Sequence, residues 1–407
     1  MNFITPNTNK EQQPLPARIS DWIILYLLPL GCLILLTGLF WVWDRSFYHL
    51  FYYVLVVAPT LVALLFQPGQ LKKILFNPLI LIFILFGSYA ILTLFWSDTS
   101  HQISSLIRRP FNILVLFFAF GLQTLKSSPR KLFSIFFISA NIAVVSGLLG
   151  LIYFATTHSG HFSRFIGYGV LYNPLLTSHL YGFFTAFWLA LWFTGGYSFS
   201  VLSLSSLAIL GVVVVSTGSR TPLLALTITL VWLAVSHWNR RSVIGICVAL
   251  TIVLIVLQFF PQGLTQRGLS YRPEIWLQAL EQALDKPWLG YGFDHHRLIE
   301  LKNLSQTFCD PHNIELAVLL MGGIVGLGLW VTLYSTALLY SWRNRDNQLV
   351  VIASSLIIFG LVAGLTEGGA ILSRPKEHWF LIWIPIALLS AIWISESNKN
   401  KSVKKSD

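Results

Sequence analysis

Residues 22–43 read WIILYLLPLGCLILLTGLFWVW, with no charge anywhere in the run. That stretch decides the environment. At about 1.5 Å per residue a helix of this length crosses the roughly 30 Å hydrocarbon core of a bilayer. It is too long for a signal peptide and lacks a small-residue cleavage site, so it reads as a retained helix. Asn77–Trp96 repeats the pattern. Across 407 residues, 55% are hydrophobic and 11% charged, with a mean hydropathy of +0.70. Soluble domains carry about 25% charged residues. The chain is therefore expected to be an all-α polytopic membrane protein.

Hydropathy predicts about twelve spans, at 22–43, 46–66, 77–96, 110–125, 131–156, 171–194, 198–216, 221–236, 242–260, 313–341, 348–366 and 379–395. The chain shows no internal repeat and reads as one domain, 1–407, with 261–312 as an elaborated loop. With the N-terminus inside, fifteen lysines and arginines fall on inner segments and seven on short outer loops. The positive-inside bias thus predicts N-in and C-in. The net charge of +11 comes mostly from these loop cations, so nucleic acid is not expected as a partner. Cys32, Cys247 and Cys309 are too few and too scattered for a disulfide framework or a cysteine metal site.

One polar island interrupts this pattern. Pro261–Asn313 reads PQGLTQRGLSYRPEIWLQALEQALDKPWLGYGFDHHRLIELKNLSQTFCDPHN and holds six of the sixteen acidic residues. The charge count places it on the outer face. From Pro273, the residues Trp276, Leu277, Leu280, Ala283 and Leu284 predict one apolar face of an amphipathic helix, ended at Asp285-Lys286-Pro287. Gly290-Tyr291-Gly292 then reads as a turn.

Several outer cations stand beside prolines: Arg109 before Pro110, Arg220 before Thr221-Pro222, Arg272 before Pro273, Arg374 before Pro375. Proline favours the first helical position, so each cation is expected at a helix start, beside free N–H groups and the positive dipole end. A cation there opposes the helix dipole and makes sense if an anion occupies the site. Arginines also snorkel to phospholipid phosphates, a role that suits Arg45, Arg108 and Arg109 best. The turn Ser216-Thr217-Gly218-Ser219-Arg220-Thr221-Pro222 resembles an anion-binding turn, with Thr221 the expected N-cap.

His312 follows Pro311 and is expected in the first turn of a long helix capped by Asp310. It is a candidate general base, with an interfacial structural histidine as the alternative. Asp310 and Glu315 are alternative bases or orienting groups. Gly322, Gly323, Gly326 and Gly328 predict a small-residue packing face. The remaining histidines, His179 and His378 among them, have no comparable setting.

The order Arg272-x3-Trp276, Pro287-x2-Gly290-x-Gly292, His312-Asn313 and a glycine-rich helix start resembles the O-antigen ligase and polymerase superfamily. The likeness is best over residues 210–330, and the single dominant loop is similar to the ligase branch. The resemblance implies a GT-C-like, metal-independent glycosyltransferase without cofactors, on the periplasmic side of the Gram-negative inner membrane. The implied partners are a glycan donor on undecaprenyl pyrophosphate, a lipid A-core acceptor and the membrane lipids. It implies catalytic roles for Arg220, Arg272 and His312, and substrate contacts for Arg164, Asp310, Asn313 and Arg374. The alternatives are an O-antigen polymerase, a protein O-oligosaccharyltransferase, or, in another class, a transporter or flippase. Transporters set polar residues at mid-membrane on broken, repeated helices, whereas these spans are nearly free of charge and the cations collect on one face.

Overall fold

A computed structural model describes residues 14–157, 164–195, 200–247, 251, 271–296, 298–300, 307–369 and 371–403. Among these, six helices are long and apolar enough to cross a membrane: Leu15–Phe40, Arg45–Phe66, Ile103–Lys126, Pro129–Thr157, Pro174–Thr194 and Ile314–Arg343. A pair bent by 88°, Pro68–Leu75 with Pro78–Thr93, makes up to seven. Ser200–Ser216, Arg220–Ser236 and Gln348–Gly364 are apolar but shorter, at 17 residues each. The protein is an all-α, multi-pass membrane protein. Most of the expected span 242–260 lies outside the described residues, as do 261–270, 297 and 301–306 of the island.

The first two spans show how proline shapes the bundle. Five-residue π segments, Ile23–Leu27 and Tyr53–Val57, precede Pro29 and Pro59. Proline lacks an N–H and crowds the carbonyl four residues back; a wider turn relieves both. Leu55 owns the carbonyl that Pro59 leaves without its usual donor, and a Cβ on Gly31 would meet that oxygen at 2.2 Å. Glycine there lets the two backbones touch. Deeper in the bundle, Trp330 and Phe83 pack against Trp383 at 5.9 and 5.0 Å, contacts that hold by dispersion where lipid removes the hydrophobic drive.

The long helix Ile314–Arg343 is broken at Gly323, with φ 59 and ψ −161. Gly322 and Gly326 still form the expected small-residue face, where an added Cβ would meet the Tyr89 ring at 3.3 Å, while Gly328 faces open space and Gly323 is the break itself. The break frees backbone groups within a membrane span, where each unsatisfied one costs several kcal/mol. The loop after the island helix satisfies them. Tyr291 N–H and Gly292 N–H donate to Leu320 and Met321 carbonyls at 2.8 and 2.9 Å, and Ile324 N–H donates to Pro287 O at 2.7 Å. Gly290 and Gly292, at φ 66 and 98, permit the approach. Tyr89 adds a hydroxyl bond to Gly322 O at 2.8 Å.

The island helix runs Arg272–Asp285 with Pro273 in its first turn, as its proline and Asp-Lys-Pro end predict. Its buried stripe is Ile275, Ala279 and Ala283, packed with Ile299 and Leu320. The expected face is corrected: Leu277, Leu280 and Leu284 are exposed. They form a second apolar stripe, because the small residues, not the leucines, allow close docking on the bundle. A two-residue ladder pairs Ile299–Glu300 with Thr307–Phe308.

Asp294 latches the island to the bundle. Its carboxylate accepts from Arg109 at 2.9 Å, Thr99 at 2.8 Å and His101 Nδ1 at 2.6 Å. Arg109 therefore sits inside helix Ile103–Lys126 with Pro110, not at a helix start. Its role is an internal ion pair.

Candidate active site

Three segments distant in sequence meet at the turn Thr366-Glu367-Gly368-Gly369, which follows helix Gln348–Gly364. The first is the Arg220 turn. Gly218 takes a left-handed φ of 62, turning the chain so that helix Arg220–Ser236 starts at Arg220. Ser219 occupies the N-cap position without a side-chain cap bond, which corrects the expectation for Thr221. Thr221 lies within the helix, and its hydroxyl accepts from Thr366 Oγ1 at 2.6 Å. Arg220 is exposed at the helix start. Arg164 straps this turn from outside: Nε donates to Thr217 O at 2.6 Å and a terminal nitrogen to Ser219 Oγ at 2.9 Å.

The second segment is the island helix. Arg272, its first residue, donates to Thr366 O at 3.1 Å. Burial pulls the Arg272 pKa below its ordinary value, and Glu367 opposes that pull.

The third is the His312 segment. His312 adopts φ 49, a left-handed conformation uncommon outside glycine, and lies just ahead of the helix. Asn313 is the N-cap, its side chain accepting from Leu316 N–H at 2.9 Å. His312 is thus not in the helix, and Asp310 is not its cap. Asp310 instead bridges: one oxygen accepts from His312 N–H at 2.8 Å, the other from Gly369 N–H at 2.6 Å. A Cβ on Gly368 would come within 2.9 Å of the Asp310 carboxylate, so glycine allows the contact.

The turn thus holds Thr221 and Arg272 at one end and Asp310 with His312 at the other. Arg374 stands apart. It is exposed, and helix His378–Leu381 starts after Glu377, so Pro375 does not open a helix. Among the described residues no hydrogen bond or ion pair links Arg374 to the turn.

Sequence reasoning missed the charges behind the turn. Glu367 is 6% exposed and faces His179 Nδ1 at 3.1 Å and His378 Nε2 at 3.6 Å. Burial alone would raise its carboxyl, but His179 and the Gly368 N–H outweigh it and hold the pKa at about 2. Lys376, lowered by burial, has Glu377, Glu367 and Asp310 as its acidic neighbours. Glu377 also pairs with Arg45 at 2.8 Å. The available signal was Glu367 itself, an acid between two glycines and an apolar span.

With the geometry in place, comparison with known proteins gives the class. A family model described as O-antigen ligase matches residues 205–331, the stretch from helix Ser200–Ser216 through the break in the long helix. The chain is 47% identical over 378 residues to an O-antigen ligase of Pseudomonas aeruginosa, covering 93% of this chain and 92% of that protein. The chain belongs to the O-antigen ligase family.

Proposed function

We propose that the protein is a metal-independent, inverting glycosyltransferase of lipopolysaccharide biosynthesis. It moves O-antigen polysaccharide from undecaprenyl pyrophosphate to a sugar hydroxyl of lipid A-core, on the periplasmic face of the Gram-negative inner membrane. The supporting observation is the convergence of the Arg220 turn, Arg272 and the Asp310–His312 pair on one buried turn. In this reading the chain is one domain of twelve spans, N-in and C-in and GT-C-like, with 261–312 as the periplasmic loop.

The acceptor hydroxyl oxygen attacks the anomeric carbon, and the bond from that carbon to the pyrophosphate oxygen breaks. His312 takes the hydroxyl proton. The electron pair leaves on the phosphate, where Arg220 and Arg272 stabilise the growing charge. Asp310 holds the His312 backbone in place. Arg164, Asn313 and Arg374 are secondary substrate contacts, Arg164 through its grip on the Arg220 turn. An apolar groove of about 670 Å³ beside the Arg164 strap, lined by Phe40, Trp41, Leu149 and Tyr153 among others, suits sideways entry of a lipid-linked substrate.

The test is reconstitution with lipid-linked glycan and purified rough lipopolysaccharide, with chelator present. The reading expects a ladder of capped lipopolysaccharide. Lengthened polyprenyl-linked glycan without capping identifies a polymerase, and a strict divalent-metal requirement removes the metal-independent step.

A further inference from the structure

The reaction above leaves unused the Glu367 carboxylate buried behind the site. Burying a carboxylate is costly unless it is compensated, and here one backbone N–H and two imidazoles surround it, with Oε1 hydrogen-bonded and Oε2 facing an imidazole. Gly368 N–H donates to Oε1 at 3.1 Å, His378 Nε2 lies 3.6 Å from the same oxygen, and His179 Nδ1 lies 3.1 Å from Oε2. His179 and His378 are themselves 1% and 6% exposed, so the clamp is as fixed as the core around it.

We propose that Glu367, clamped between His179 and His378, is a positioning residue that sets the distance between Arg272 and His312 across the Thr366–Gly369 turn. The proposal rests on the assignment of Arg272 and His312 made above. The Thr366 carbonyl that receives Arg272 is one residue before Glu367, and the Gly369 N–H that holds Asp310 is two residues after it. Any shift of the Glu367 side chain moves both attachments together. His378 also suits this task better than a cation. Burial and the Lys376 ammonium keep His378 neutral, with its pKa at about 3, so it can hold the carboxylate without cancelling the negative charge that Arg272 faces. A bundle needing only an internal contact would not tie both ends of that contact's own turn to the candidate catalytic segments.

The experiment compares wild type with Glu367→Gln, which keeps the shape and removes the charge, in the reconstituted transfer assay. The expected result is a fall in kcat of about 100-fold, the usual effect of misplacing a catalytic group by about 1 Å. Acceptor KM and the thermal midpoint of the purified protein should change little. Wild-type kcat in folded Glu367→Gln overturns the proposal. So does a loss in Glu367→Gln that multiplies with the loss in Asp310→Asn, because a route through Gly369 makes the double variant no slower than the slower single one. If Glu367→Gln does not accumulate, the pair His378→Ala and His378→Gln replaces it. The glutamine retains a donor and should restore the rate that alanine loses, whereas equal rates contradict the clamp. Full activity in both Arg272→Ala and His312→Ala removes the site assignment itself, whatever Glu367→Gln does. Their inactivity beside an active Glu367→Gln removes only this inference.

Discussion

Arg272 and Thr366, 94 residues apart in the chain, are joined by a guanidinium-to-carbonyl bond of 3.1 Å. The same threonine donates its hydroxyl to Thr221 at 2.6 Å. One residue thus ties the polar island to the turn that presents Arg220, the arrangement through which the proposed reaction has two arginines remote in sequence act on one anion.

Removing that tie should separate the two arginines. Thr366→Val deletes the hydroxyl while keeping the shape, and leaves Thr221 without its donor. The expected cost is about 1 kcal/mol of stability and a clear loss of transfer rate, with Thr366→Ser close to wild type. Equal rates for valine and serine would show that the hydroxyl pair does not align the site.

Arg220→Lys tests how the anion is held. A planar fork binds two phosphate oxygens at once, and an ammonium cannot reproduce it. Loss of one preorganised charge donor costs roughly 100- to 1000-fold in rate. A fully active lysine variant, measured as capped product per folded enzyme, would reduce Arg220 to a charge anchor.

Gly323→Ala tests the broken helix. The φ of 59 and ψ of −161 fall where essentially only glycine is stable, and an alanine there costs about 2 kcal/mol or more in backbone strain. The added Cβ would also meet Trp288 O at 2.3 Å. The variant should show a lower thermal midpoint in detergent and lose transfer activity; an unchanged midpoint contradicts the loop-patched break.

Acid stability follows from the clamp. The unfolded chain takes up a proton on His378 near 6.5, while burial and Lys376 delay this to about 3 in the folded protein. Stability therefore falls as pH drops through that window. Glu367 acts in the same sense: with its folded pKa at about 2, its contribution is complete above the ordinary 4.5 and lost below it. Melting curves should show the midpoint falling steadily from neutral pH toward pH 4.5, with a shallower fall in His378→Gln. Parallel curves for the two proteins would contradict the assignment.

Local features were legible in the sequence. Uncharged runs gave the membrane helices, and Arg272-Pro273 with Asp285-Lys286-Pro287 gave both ends of the island helix, because proline and charge act within a turn of themselves. The features that escaped depend on tertiary partners. Asp294 claims Arg109, which proline alone had placed at a helix start. Gly323 looks like any packing glycine until the 287–292 loop is seen to occupy its gap. Glu367 and His378 read as isolated polar residues because the third member, His179, lies on a distant span. Arg272 and His312 were legible as candidates, but not the turn that joins them.

The most direct measurement is transfer by purified His312→Ala beside wild type, with lipid-linked glycan as donor and rough lipopolysaccharide as acceptor. Loss of a positioned general base costs roughly 100- to 10,000-fold. Wild type should yield capped lipopolysaccharide and an equally folded His312→Ala essentially none. Wild-type capping by the alanine variant would contradict it.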